Sequence, residues 1–258
     1  SESLSRGYIP EPLKIQQITP IYKKGDKTDP ANYRPVSLTS HVMKTFERVF
    51  RKNLVGYLED TNLLSDNQHG FRKKRSCMTQ LLSHVEKIYE SLNRNEEVDV
   101  IYLDFAKAFD KVDHQVLLAK LERYGIGGHA LSWLREFLLD RKQAVVVEGH
   151  RSTLRLVLSG VPQGTVLGPV LFVLYINDLL ERISNGFGFA DDTKLIGAIK
   201  DMIGVANLQE ELNQVTKWSE HNNMQLHEQK FEVLSYSLGL KKAEYLREFP
   251  LYPETIEY

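Results

Sequence analysis

From Ser40 to about Asp60 the apolar residues Val42, Phe46, Val49, Phe50, Leu54, Tyr57 and Leu58 return every three or four positions, the spacing of one helix face. Ser40 stands where an N-cap belongs. The pattern returns over 78–93, where Leu81, Leu82, Val85, Ile88, Tyr89 and Leu92 are predicted to face inward. Further helices are predicted over about 113–123, capped by Asp113, over 129–139, over the apolar run 167–182 and over about 201–221. Strand patterns cover "IQQITPIY" (15–22), assigned to a sheet edge because Pro20 interrupts it, and the buried run "VDVIYLDF" (98–105). "QAVVVEG" and "TLRLVLS" read as strands joined by a turn at Gly149, and "MQL" and "FEVLSY" as two short strands near the end. "KKGDKTDPANYRP" and "LSDNQHGFRKKRS" read as loops. This order of elements describes an α+β domain on an antiparallel sheet.

One hairpin stands apart. In "SNGFGFADDTKLIGA" (184–198) Asp191 and Asp192 sit at the tip, between two apolar runs. Adjacent carboxylates each raise the cost of ionising the other unless a cation lies between them. Asp is also a common turn residue, and a lone Asp-Asp pair is more often a turn than a site. Asp104 ends the strand "VIYLD". Should that strand pair with the hairpin, Asp104 and Asp191 face each other at one sheet edge, and the acids there form an oxygen-only set suited to a pair of Mg²⁺ or Mn²⁺ ions.

Composition narrows the class. Of 258 residues 42% are hydrophobic and 26% charged, enough for a globular core. No apolar run is long enough to span a membrane, and the N-terminal stretch lacks the core of a signal peptide. With a single cysteine, Cys77, no internal disulfide forms. The expected setting is intracellular, in nucleus or cytoplasm, rather than secreted. Net charge is −1, but the first 95 residues carry 16 Lys/Arg against 10 Asp/Glu and the remainder 17 against 24. That asymmetry hints at an anionic partner for the first part.

"YLDFAKAFDKVDH", "GVPQGTVLGPVLFVLYINDL" and "FADDTKL" resemble successive blocks of the reverse transcriptases of non-LTR (LINE-type, jockey-like) retrotransposons. "ITPIYKKGDKTDPANYRPVSLTS" and "NQHGFRKKRSC" resemble the blocks before them, in the family's order and roughly its spacing. The resemblance covers residues 15 to about 236. It implies a right-hand polymerase with fingers over about 1–97 and 118–155 and palm over about 98–117 and 156–236. Residues 237–258 read as a tail without a recognisable thumb. The implied activity is RNA-directed DNA synthesis with two Mg²⁺, on an RNA template, a DNA primer and deoxynucleoside triphosphates, with no membrane partner.

By resemblance the metal set is Asp104, the Phe105 carbonyl, Asp191 and Asp192. Phe109 matches the steric gate against a ribose 2′-OH. Pro162, Gln163 and Gly164 match the template-supporting loop, Gln163 also facing the nucleotide. Lys23, Lys24, Arg34 and Arg72 match residues on the triphosphate, with Arg34 foremost, and Arg75 matches a template contact. Lys230 matches the lysine that protonates the pyrophosphate leaving group, although His227 and Phe231 replace the family's neighbouring Asn and Thr. Asp110 is expected to brace the following turn, and Asn177 and Asp178 only local hydrogen bonds. Two functional readings follow: an active polymerase, or a non-catalytic nucleic-acid-binding remnant of one.

Overall fold

The structure, a computed structural model, describes residues 2–238 and 247–252. Along the chain run α1 (Glu2–Arg6), β1 (Ile15–Tyr22), β2 (Tyr33–Leu38), α2 (His41–Asp60), α3 (Cys77–Asn93), β3 (Glu97–Leu103), α4 (Ala108–Lys111), α5 (His114–Arg123) and α6 (Gly128–Leu138). There follow β4 (Lys142–Val147), β5 (His150–Arg151), β6 (Arg155–Leu156), α7 (Gly168–Arg182), β7 (Gly186–Phe189), β8 (Asp192–Ile199), α8 (Met202–His221) and β9 (Glu232–Tyr236). Two compact units share the chain: Ser1–Leu63 with Phe109–Tyr175, and Leu64–Ala108 with Ile176–Tyr258. Residues 64–97 group with the Asp104 strand, and 109–117 and 156–175 with the first unit. The expected tail, 237–258, lies largely outside the described residues.

In the first unit the sheet order is β2-β1-β4-β5, with β6 also on β4. β1 and β4 run parallel, so this sheet is mixed rather than antiparallel throughout. β1 is also not an edge strand, because β2 and β4 flank it. Its pairing with β4 ends at Ile18, while Pro20 faces Pro35 on β2. The proline therefore lies beyond the stretch where a second neighbour needs its missing N–H. β2 arises inside a predicted loop. The turn chemistry of that loop ends at Asn32, where a short 3-10 turn is capped by Asp29 accepting from Ala31 N at 2.8 Å. Of the strand expected over "TLRLVLS", only Arg155–Leu156 pairs with β4, as β6.

Ser40 caps α2 as predicted, accepting from Met43 N at 3.1 Å. The helix buries Met43, Glu47, Phe50, Leu54 and Leu58, while Val42, Val49 and Tyr57 stay exposed. Phe50 stacks on Trp133 of α6 at 4.8 Å, and Trp133 stacks in turn on Phe137. Asp113 caps α5 through Gln115 N and Val116 N.

In the second unit the order is β7-β8-β3-β9, all antiparallel. Central β3 buries Val98, Val100, Ile101 and Leu103. Val98 and Val100 share a core with Ile88 of α3, Phe187 and Ile196. α8 lies against β8, where Gly197 makes room for it: a Cβ there would meet Leu208 at 2.8 Å. α3 bears out its predicted orientation at Ile88 and Leu92, which pack in and against the core, and overturns it at Leu81, Leu82, Val85 and Tyr89. It buries Gln80, His84, Ile88 and Ser91, and leaves Leu81, Leu82, Val85 and Tyr89 exposed. Its apolar residues cover so much of the circumference that spacing alone did not fix the inward side. Of "MQL", only Leu226 forms a bridge, to Phe105, and it is not a strand.

Candidate active site

Strand register assembles the carboxylates within the second unit. β3 pairs with β8 up to Leu103↔Thr193, so Asp104 stands one step on, level with Asp192. β7 pairs with β8 up to Phe189↔Asp192, leaving Ala190 and Asp191 as a two-residue tip. The three acids feel one another. Burial pushes the Asp191 carboxyl above its ordinary range, and the charges of Asp192 and Asp104 add to that. Burial does the same to Asp192, again with Asp104 adding to it. A cation among such oxygens would offset both penalties.

The strand continues past β3 in a second pairing. His227 N donates to Asp104 O and Ala106 N to Gln225 O, each at 2.8 Å, around the bridge Phe105↔Leu226. In this wide pairing the Phe105 N–H and C=O turn away from Leu226. The buried Phe105 ring meets Trp218 edge-on at 5.8 Å, and Trp218 Nε1 donates to Asp178 at 3.0 Å. Between Leu226 and β9 the 3-10 turn Glu228–Lys230 bulges from the sheet edge. The bulge brings the Lys230 ammonium onto Asp104 Oδ2. Among the described residues no three His, Cys, Asp or Glu side chains are grouped closely enough to hold a metal ion as they stand. The donor set suits a hard cation, while its first member is engaged by an ammonium.

The first unit holds Phe109 and the loop of Pro162, Gln163 and Gly164. The half-buried Phe109 ring stacks on Phe172 at 4.3 Å. Around it residues 109–114 are stitched to 159–163. Val161 N donates to Phe109 O, Gly160 N to Val112 O, and Gln163 Nε2 to Asp110 Oδ1 at 2.9 Å. Asp110 thus braces this loop. Gln163 O accepts from Ser37 N of β2 at 2.7 Å, and buried Pro162 accepts from Thr165. Gly164 has φ +94°, and a Cβ there would lie 2.9 Å from Ser37 O, so only glycine fits. Lys23, Lys24 and Arg34 are exposed.

Arg72 and Arg75, in the second unit, are committed to the fold. Arg72 is nearly buried and donates to Ser65 O at 2.6 Å and Leu64 O at 3.3 Å. Arg75 pairs with Asp66 at 2.7 Å. Asn177 donates to Glu181, a local bond as expected, but it also accepts from Ser65 N, far away in the sequence, and so ties α7 to the loop before α3. Sequence reasoning passed over Glu47 and Gln68. Glu47 Oε2 accepts from Val166 N and Leu167 N, just ahead of α7. Gln68 bonds the hairpin tip. Neither stands out, because a polar residue in a helix or a loop reads as surface.

The family described as Reverse transcriptase (RNA-dependent DNA polymerase) matches residues 21–251. The chain belongs to the reverse transcriptase family. This reverse transcriptase domain is 34% identical over 192 residues to the "Probable RNA-directed DNA polymerase from transposon X-element" of Drosophila melanogaster, covering 72% of the chain and 21% of that protein. It is 30% identical over 245 residues to the "RNA-directed DNA polymerase from mobile element jockey" of the same fly, covering 91% and 27%. The resemblance to non-LTR elements is borne out, and the chain spans about a quarter of these relatives' length. Among solved structures, an apo telomerase from Candida tropicalis matches with TM-score 0.65 at 11% identity, over 90% of this chain and 52% of that one. The fold is the α+β right-hand polymerase fold.

Proposed function

We propose that this domain adds deoxynucleotides to a primer 3′-OH on an RNA template, as the polymerase part of a non-LTR retrotransposon protein working inside the cell. The observation that carries this reading is the register that sets Asp104 level with Asp192 and beside the Asp191 tip. Asp104, the Phe105 carbonyl, Asp191 and Asp192 are the groups that would hold two Mg²⁺ ions, with Mn²⁺ serving as well. Such ions, when bound, neutralise a triphosphate and acidify the attacking hydroxyl.

The chain's own residues then divide the work. Lys230 neutralises Asp104 at rest. Once it leaves the carboxylate, its ammonium is a donor for the pyrophosphate oxygen. Phe109 excludes a 2′-OH. Pro162, Gln163 and Gly164 support the template, and Lys23, Lys24 and Arg34 attract phosphate. Arg72 and Arg75 serve by holding residues 64–66. The non-catalytic remnant is not favoured, since the carboxylates keep their register.

Primer extension on an RNA template with Mg²⁺ tests the reading. Incorporation is expected, and Asp104→Asn or Asp191→Asn should each reduce it to background. Salt-sensitive RNA binding without incorporation by the unaltered chain would sink the polymerase in favour of the remnant.

A further inference from the structure

The Asp191 tip is an unusual turn. Ala190 has φ +57°, a conformation that costs a residue with a Cβ about 1 kcal/mol or more. In a two-residue hairpin the central peptide groups make no ladder bonds, and most turns leave them to water. Here one side chain takes them. Gln68 Oε1 accepts from Ala190 N at 3.0 Å and from Gly70 N at 2.7 Å, while Gln68 Nε2 reaches Ala190 O at 3.5 Å. Gln68 is fully buried.

Its backbone is fastened to the same hairpin. His69 N donates to Gly188 O and Gly188 N to Asn67 O, each at 2.9 Å, forming a one-residue parallel bridge Gln68↔Gly188. The next glycine closes the clamp. A Cβ on Gly70 would lie 2.3 Å from Ala190 N, so the chain there lies directly against the tip. The backbone that carries Asp191 is therefore bonded on its N–H side, bonded on its C=O side and covered by Gly70.

We propose that Gln68 is a positioning residue, which locks the Ala190–Asp191 turn and so fixes where the Asp191 carboxylate stands for ion binding and nucleotide transfer. This rests on the polymerase reading. Gln68 touches no substrate. Without it, Ala190 can leave its strained conformation, and Asp191 then samples several positions instead of one.

Gln68→Met keeps volume and burial and removes all three side-chain hydrogen bonds. Three measurements are made on the whole chain: amide hydrogen exchange at Ala190, Mn²⁺ titration followed by electron paramagnetic resonance, and primer extension over a range of Mg²⁺ concentrations. In the unaltered chain the Ala190 amide should exchange slowly. In Gln68→Met it should exchange at least tenfold faster, with far-ultraviolet circular dichroism unchanged. Mn²⁺ affinity should fall about 5- to 20-fold and kcat about 10- to 100-fold. The Mg²⁺ concentration for half-maximal rate should rise, while the KM for deoxynucleotide moves less than threefold. Leu212→Val, a buried change in α8, should lower Tm without moving the Mg²⁺ requirement. Gly70→Ala, which presses on the tip from outside, should reproduce the Gln68→Met profile.

A Gln68→Met protein with unaltered Mn²⁺ affinity and Mg²⁺ dependence overturns the proposal and leaves the polymerase reading intact. An unaltered chain that neither binds Mn²⁺ nor extends a primer overturns the polymerase reading, and with it the role given to Gln68. Rapid exchange of the Ala190 amide in the unaltered chain overturns the clamp whatever the activity.

Discussion

Glu47 shows how one buried side chain can hold the start of a helix on another element. It is fully buried in α2, and Oε2 takes the Val166 and Leu167 amides where the Pro-Gln-Gly loop enters α7. Those amides point along a helix start, where negative charge is favoured. Burial nevertheless raises its carboxyl above the ordinary value of 4.5, against the pull of the two amides and Arg141. A raised acid binds its proton more tightly folded than unfolded. Its contribution to stability is complete below pH 4.5 and is lost as pH rises through the folded value. Glu47→Gln keeps an acceptor oxygen and removes the ionisation. Denaturant melts at several pH values should show that variant with a flatter pH dependence over this window. Glu47→Ala strands the buried Leu167 amide and the half-buried Val166 amide, and should cost about 2–4 kcal/mol below pH 4.5 and less as pH rises through the folded value. Phe109, proposed above as the gate against a 2′-OH, also packs its ring on Phe172. Phe109→Val should raise ribonucleotide incorporation relative to deoxynucleotide by about 10- to 100-fold, read in competition assays. An unchanged ratio together with lowered stability would leave Phe109 as packing alone.

At the scale of elements, the turn of the β4–β5 hairpin is correct in type and imperfect in sequence. Val147↔His150 pairing leaves Glu148 and Gly149 as the loop, with φ +49° and +81°. That is the type I′ geometry, which favours Asn-Gly. Glu148→Asn should gain about 0.5–1 kcal/mol in chemical denaturation, because Asn tolerates the left-handed region that Glu does not. α3 gives the opposite case, a helix whose existence was legible and whose orientation was legible only in part. Ser76 and Thr79 form a capping box, and the apolar spacing marks its length. The choice of inward face came from tertiary contacts: Ile88 in the core cluster and His84 against Tyr102 at 6.4 Å. Leu82→Gln should therefore change stability by no more than about 0.5 kcal/mol. Ile88→Ala should cost about 2–4 kcal/mol. Equal costs in thermal melts would mean that the sequence-based orientation was right after all. That the Asp104 strand pairs with the acidic hairpin was legible, because a buried strand with one acid at its end and a hairpin with two at its tip have few ways to pair; the register was not, since Asp104 stands level with Asp192 and not with the expected Asp191. Gln68 and the Lys230 bulge were not legible, since each depends on a three-residue local geometry that no periodicity encodes.

Across the whole molecule, the surplus of Lys and Arg in the first 95 residues pointed to a polyanionic partner by charge alone, and the structure divides the cations singled out there in two. Lys23, Lys24 and Arg34 are exposed, whereas Arg72 and Arg75 spend their guanidinium groups on residues 64–66. Phosphate contacts release counterions, so each cation that touches nucleic acid adds about 0.7–0.9 to the slope of log affinity against log salt. Lys23→Ala, Lys24→Ala and Arg34→Ala should each weaken binding to an RNA–DNA primer-template and lower that slope by about one, with Tm unchanged. Arg72→Ala should leave the slope as it is and lower Tm instead, because it removes a nearly buried donor from two carbonyls. Fluorescence anisotropy at four or five salt concentrations, paired with thermal melts, separates the two groups. A slope that falls with Arg72→Ala, or stays constant when all three exposed cations are removed, would mean that nucleic acid follows a different path over the protein from the one the exposed charges mark.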